Sequence, residues 1–179
     1  RTVYVQIGGA YEAGSGDGTP TTSTVVKVTQ KGKNREHKEA TIAFGSNAVK
    51  ISSESVTGTD SKDNTWTITT VGTTSFTSNA DYYQVGSSNK PATSISFTTT
   101  LPSEAVNVNL EAKFGGFSGT AGTVTLKVDD RTVGAGSLNA TNDVTVSSTS
   151  TAEGKVLTVT VTGIAKGVKC YYIKADYEL

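Results

Sequence analysis

The chain has 179 residues, 16 Lys plus Arg against 16 Asp plus Glu, and charged side chains at only 18% of positions. A neutral, sparsely charged chain lacks the Lys/Arg surplus that nucleic acid or an anionic membrane demands, so neither is expected as the main partner. No run is apolar for the length of a membrane helix and none reads as a leader, while the lack of Met even at position 1 suits a piece of a longer chain.

Residues 2–7 (TVYVQI) alternate as a strand with Val3, Val5 and Ile7 on one face. A long loop with Tyr11, GGAYEAGSGDGTPTT, leads to a second strand near residues 23–29. Its glycines read as punctuation, because no helix follows to offer its N-terminus to a phosphate. Lys27, Lys31, Lys33, Arg35, His37 and Lys38 form a basic cluster that reads as a solvated turn. His37, the only histidine, has no second His or Cys at ligand spacing, which argues against a zinc site or a catalytic triad.

Ala40, Ile42 and Phe44 align on the next strand, residues 39–45. In residues 64–100, Trp66 and Ile68 alternate with threonines, as do Ile95 and Phe97 with Ser and Thr. A polar, Gly/Ser/Asn-rich excursion carrying Tyr82 and Tyr83 separates the two runs and reads as an aromatic-bearing loop. Residues 105–114 place Val106, Val108, Leu110, Ala112 and Phe114 inward and Asn107, Asn109, Glu111 and Lys113 outward. GGFSGTAG reads as a turn before a strand at 123–128, and Asp129-Asp130 as a tight turn. Val144 and Val146 mark one more strand, Leu157, Val159 and Val161 another. The closing strand, 168–179, puts Tyr171, Ile173, Ala175 and Tyr177 on a single face, with Cys170 as a small buried hydrophobe.

Some nine to eleven short strands, no helical period and no fixed repeat predict an all-β fold: an antiparallel two-sheet β-sandwich, jelly-roll-like. Residues 39–179 are expected to form it. Residues 1–38, a strand pair and long loop, either join the sandwich or are the remnant of an upstream module.

With the strands placed, a Trp-Thr strand at Trp66 and Thr67, a Tyr-plus-Gly segment at residues 83–86, a Ser/Thr-rich strand at 93–99 and a terminal Tyr-Ile strand at Tyr172 and Ile173 stand in order. In this, residues 39–179 resemble the jelly-roll β-sandwich domains appended to secreted and cell-surface bacterial proteins, which resemble carbohydrate-binding modules. The resemblance implies a non-catalytic extracellular module, monomeric, that holds a polysaccharide beside the other modules of a larger chain. It implies no cofactor beyond a structural calcium. The alternative is a structural or adhesive spacer that contacts protein and takes no small ligand.

Sugar recognition stacks flat aromatic faces on the apolar side of a pyranose and sets amides and carboxylates against its hydroxyls. Asn79, Asp81, Tyr82 and Tyr83 bring amide, carboxylate and ring within five residues, and Trp66 and Tyr11 complete the candidate set. One of the adjacent tyrosines is expected in the core, and Trp66 shares the Ile68 register, which favours a core position for it too. Asp60 and Asp63 offer loop oxygens for a metal without an EF-hand pattern. No Gly-x-Ser-x-Gly elbow or paired carboxylates in a recognisable context point to hydrolysis.

Overall fold

The structure, a computed structural model, describes residues 2–7, 24–29, 34–45, 49–117 and 121–179, the first two segments by backbone alone. The chain divides into two compact units, Arg1–Arg35 and Glu36–Leu179. In the first, β1 (Thr2–Ile7) and β2 (Thr24–Thr29) form an antiparallel ladder from Thr2↔Thr29 to Ile7↔Thr24. Tyr11 and the loop around it, with Lys31 and Lys33 of the basic cluster, lie outside the described residues.

The second unit is a two-sheet antiparallel sandwich. Its strands are β3 (His37–Ala43), β4 (Ser55–Thr59), β5 (Thr65–Val71), β6 (Phe76–Ser78), β7 (Tyr83–Gly86), β8 (Ser94–Thr100), β9 (Val106–Gly116), β10 (Gly122–Val128), β11 (Arg131–Leu138), β12 (Val144–Ser147), β13 (Val156–Thr162) and β14 (Gly167–Glu178). Sheet I runs β11-β10-β13-β8-β5-β4; sheet II runs β12-β9-β14-β7-β6, with β3 on the same edge of β14 as β7 but further along it. Apart from the β4–β5, β6–β7 and β10–β11 hairpins, successive strands cross between the layers, because each has one apolar face to hide against the other sheet.

The core follows the alternation. Val108, Leu110, Ala112 and Phe114 of β9 are buried against Ile95 and Phe97 of β8, Leu126 of β10 and Val159 of β13, each at most 1% exposed. Phe44, Phe97 and Phe114 make a chain of tilted rings, with centroids 5.2 and 5.7 Å apart, from one sheet to the other. The outer face of sheet I carries hydroxyls in cross-strand ladders, Thr57–Thr67–Thr98–Thr158 being one. These residues satisfy strand propensity on a wet face without adding core.

Three expectations are corrected. The excursion between the Trp66 and Phe97 strands is a hairpin, β6–β7, in place of a loop. The GGF segment is no turn at its start, since β9 runs on through Gly116. His37 and Lys38, assigned to a turn, open β3. Two further strands escaped the pattern, β4 (SVTGT) and β11 (RTVGAGSL), because glycines interrupt their alternation. In β11 those glycines are sites of close approach: a Cβ on Gly134 would sit 2.7 Å from the Ser147 carbonyl, and one on Gly136 2.6 Å from Val146. There β12 of sheet II closes over the edge of sheet I.

Candidate functional site

The closing strand does not keep one face. Cys170 pairs with Phe114 and Tyr172 with Lys113, so Tyr171 is an extra residue in β14. Such a bulge shifts the side-chain alternation by one. Val168 and Cys170 point inward before it and Ile173, Ala175 and Tyr177 after it. Tyr171 and Tyr172 are both left half-buried on the outer face of sheet II, which corrects the expected alignment of Tyr171 with Ile173.

Around Tyr171 the outer face gathers aromatic and charged groups. Tyr82, in the β6–β7 turn closed by the Asn79 N–H to the Tyr82 carbonyl (3.0 Å), packs on Tyr171 at 5.4 Å between centroids. Lys113 Nζ lies 4.5 Å from the Tyr171 ring centroid, and Lys169 Nζ lies 5.3 Å from both the Tyr82 and Phe117 rings. The Tyr171 hydroxyl donates to Asp143 Oδ1 (3.1 Å), and Asp143 Oδ2 pairs with Lys113 at 3.6 Å. Burial above all, then the bond to Asp143 and its charge, pushes the Tyr171 phenol up to about 12. The charge of the Asp81 carboxylate adds to that rise.

Gly115 lets these groups converge. It pairs with Lys169 across β14, and a Cβ there would fall on the Asp143 carboxylate and 3.2 Å from the Tyr171 ring. On the other side of Lys169 the register partner is Gln84. Beyond it a cleft of about 550 Å³ is lined by Gln84, Ser87, Ser88, Asn89, Phe117 and Lys166. The whole is a strip: tyrosines at one end, Lys169 and Phe117 in the middle, a polar cleft at the other.

The sequence-derived candidates divide. Tyr82 belongs to the strip, with Asn79 and Asp81 in the turn beside it. Tyr83 is 6% exposed and Trp66 fully buried, so neither offers a ring face to a ligand. Each stands at an inward position of its strand, and Trp66 Nε1 donates to Asp60 Oδ2 (3.0 Å). Tyr171, Phe117, Lys169 and Gly115 were missed. The adjacent tyrosines of KCYYIK, both too polar-tipped for a fully buried face, are the signal that could have found the bulge.

The calcium fit fails at Asp60. Its Oδ1 accepts from the Lys62 and Asn64 N–H groups and Asn64 Nδ2, and its Oδ2 from Thr41 N–H, Asn64 Nδ2 and Trp66 Nε1, all at 2.9–3.1 Å. N–H dipoles aimed at both oxygens leave no lone pair for a cation. His37, Glu39 and Asp176 bring ligand atoms within 4.8 Å of one another, but Lys174 Nζ sits 3.2 Å from Asp176 and 3.5 Å from Glu39. That ammonium offsets one of the two carboxylate charges and already pairs with both carboxylates a metal would need.

No protein family and no curated protein matches this chain. Among the solved structures that align with it weakly are three carbohydrate-related ones. The C-terminal CBM6 of LamC, a marine laminarinase from Zobellia galactanivorans, is 12% identical over 77% of this chain and 98% of its own, with a TM-score of 0.37. CsCBM6-3 from Clostridium stercorarium, in complex with cellobiose, is 11% identical over 59% and 89%, with a TM-score of 0.30. The isomalto-dextranase of Arthrobacter globiformis T6, complexed with panose, is 15% identical over 84% of this chain and 24% of its own, with a TM-score of 0.34. Likeness at this level says nothing about ligand or chemistry.

Proposed function

We propose that this chain is a non-catalytic polysaccharide-binding module of an extracellular bacterial protein, working beside other modules of a longer chain. The observation that carries the reading is the strip on sheet II, where a bulge turns Tyr171 outward to join Tyr82 and Phe117. Three rings on one sheet face beside a polar cleft suit a run of sugar units, each laying an apolar face on a ring while amides and hydroxyls meet its edge. Two carboxylates beside the strip, Asp143 and Glu111, are engaged, which supports a role without catalysis. Asp143 holds Tyr171 and Lys113, and Glu111 accepts from the Tyr172 hydroxyl (2.8 Å) and Ser147. A single strip of this size binds weakly, and attachment to neighbouring modules would raise the effective affinity.

A gel-retardation panel of soluble polysaccharides tests this, with the wild type, Tyr171→Ala, Tyr82→Ala and Phe117→Ala. Retardation by at least one glycan, weakened in all three variants, is expected. One observation favours the second reading, a spacer or adhesive surface: lysines already lie over the Tyr171, Tyr82 and Phe117 rings. If they only seal a self-contained surface, no glycan retards the protein.

A further inference from the structure

Resting on that reading, we infer that the strip takes an anionic glycan, one bearing carboxylate or sulfate groups, in preference to a neutral glucan. Any sugar that stacks here must move the lysines that cover the rings. Lys169 Nζ stands between Tyr82 and Phe117 at 5.3 Å from each, and no carboxylate pairs with it among the described residues. Lys166 is likewise without a carboxylate and lines the cleft with Phe117. A neutral sugar takes the ring from the ammonium and leaves it with water alone. An anionic one takes the ring and gives the ammonium a partner in return, so the cation–π contact is replaced by an ion pair and not simply lost.

The strip also has a polarity. The carboxylates that would repel an anion lie at the tyrosine end: Asp81 precedes Tyr82 in the β6–β7 turn, and Asp143 is tied to Tyr171 and Lys113. From the middle to the cleft end run Lys169, then Lys166 with the uncharged Gln84, Ser87, Ser88 and Asn89. The anionic substituent is therefore read at that end, and the tyrosine end supplies the stacking surface.

Isothermal titration with oligogalacturonate, a sulfated galactan oligomer and an uncharged galactan oligomer of equal length separates the cases. The two acidic arms distinguish carboxylate from sulfate. The expected result is tighter binding of at least one acidic oligomer than of the neutral one, by roughly tenfold at low salt, with the gap shrinking as salt is added. Lys169→Gln and Lys166→Gln should each lower the acidic affinity about three- to fivefold, whereas neutral binding should not weaken in Lys169→Gln, because no ammonium then has to leave the rings. Lys127→Gln, on the hydroxyl face of sheet I, should change neither. A neutral oligomer bound as tightly as both acidic ones, or acidic binding indifferent to Lys169→Gln and Lys166→Gln, overturns this inference and leaves the glycan reading standing. No binding of any of the three oligomers overturns this inference, and the glycan reading falls with it only if the polysaccharide panel shows no retardation either.

Discussion

Asp60 fastens the two sheets together, and removing it should cost far more than a surface carboxylate normally would. The residue is 9% exposed, in the β4–β5 turn of sheet I, yet one of its oxygens accepts from the Thr41 N–H on β3 of sheet II. The same oxygen satisfies Nε1 of the fully buried Trp66. In Asp60→Ala the Lys62 and Asn64 donors can turn to water, while the indole N–H is shut in. Each hydrogen bond to a charged acceptor is worth roughly 1.5–3 kcal/mol, and a buried unpaired N–H costs roughly 1–3 kcal/mol. The expected loss is about 3–5 kcal/mol, or a fall in Tm on the order of 10 °C. Urea unfolding followed by far-ultraviolet circular dichroism measures it without relying on the perturbed tryptophan. Trp66→Phe removes the stranded donor, so the double variant should be less damaged than the sum of the singles by at least about 1 kcal/mol. A loss below about 1 kcal/mol for Asp60→Ala, or strict additivity, would refute the clamp.

Gly86→Ala should destabilise by at least about 2 kcal/mol in the same urea experiment, because φ is +84° and the new Cβ would stand 2.6 Å from the Lys166 carbonyl and 2.7 Å from the Ala92 nitrogen. The Tyr171 phenol is raised in the folded protein, so its contribution to stability is whole below the ordinary value of 10.0 and is lost as pH rises toward about 12. Tyrosinate absorbance should therefore develop late for this residue, and earlier in Asp143→Asn; coincident titration of wild type and variant would contradict the contact. Burial lifts the Cys170 thiol far above its usual range. An aromatic disulfide reagent should leave it untouched in the folded protein and react fully in denaturant, whereas rapid labelling of the native state would contradict its place in the core.

Much of the sandwich was legible because burial on one face leaves a period of two in the sequence, and Val108, Leu126 and Val159 are as deeply buried as their alternation demands. Strands without that signature were not legible. β4 and β11 carry glycines where another backbone or side chain comes close, so tertiary packing chose their residues. The site was half legible for a related reason. Tyr82 stood out as an aromatic in a polar segment, but strict alternation assigned Tyr171 to the core. The register shift that reverses it depends on how β14 meets β9, a property of two strands together. Trp66 was a plausible platform by chemistry alone, and its buried partner Asp60 lies six residues earlier with no local pattern to announce the pairing.

Amide NMR of the protein titrated with a charged galacturonate oligomer probes the strip most directly. The account predicts shifts concentrated at Tyr82, Gly115, Phe117, Lys169 and Tyr171, with Thr67, Thr98 and Thr158 of sheet I unmoved. Shifts centred on the sheet I ladders, or a spectrum that does not change at saturating sugar, would contradict it.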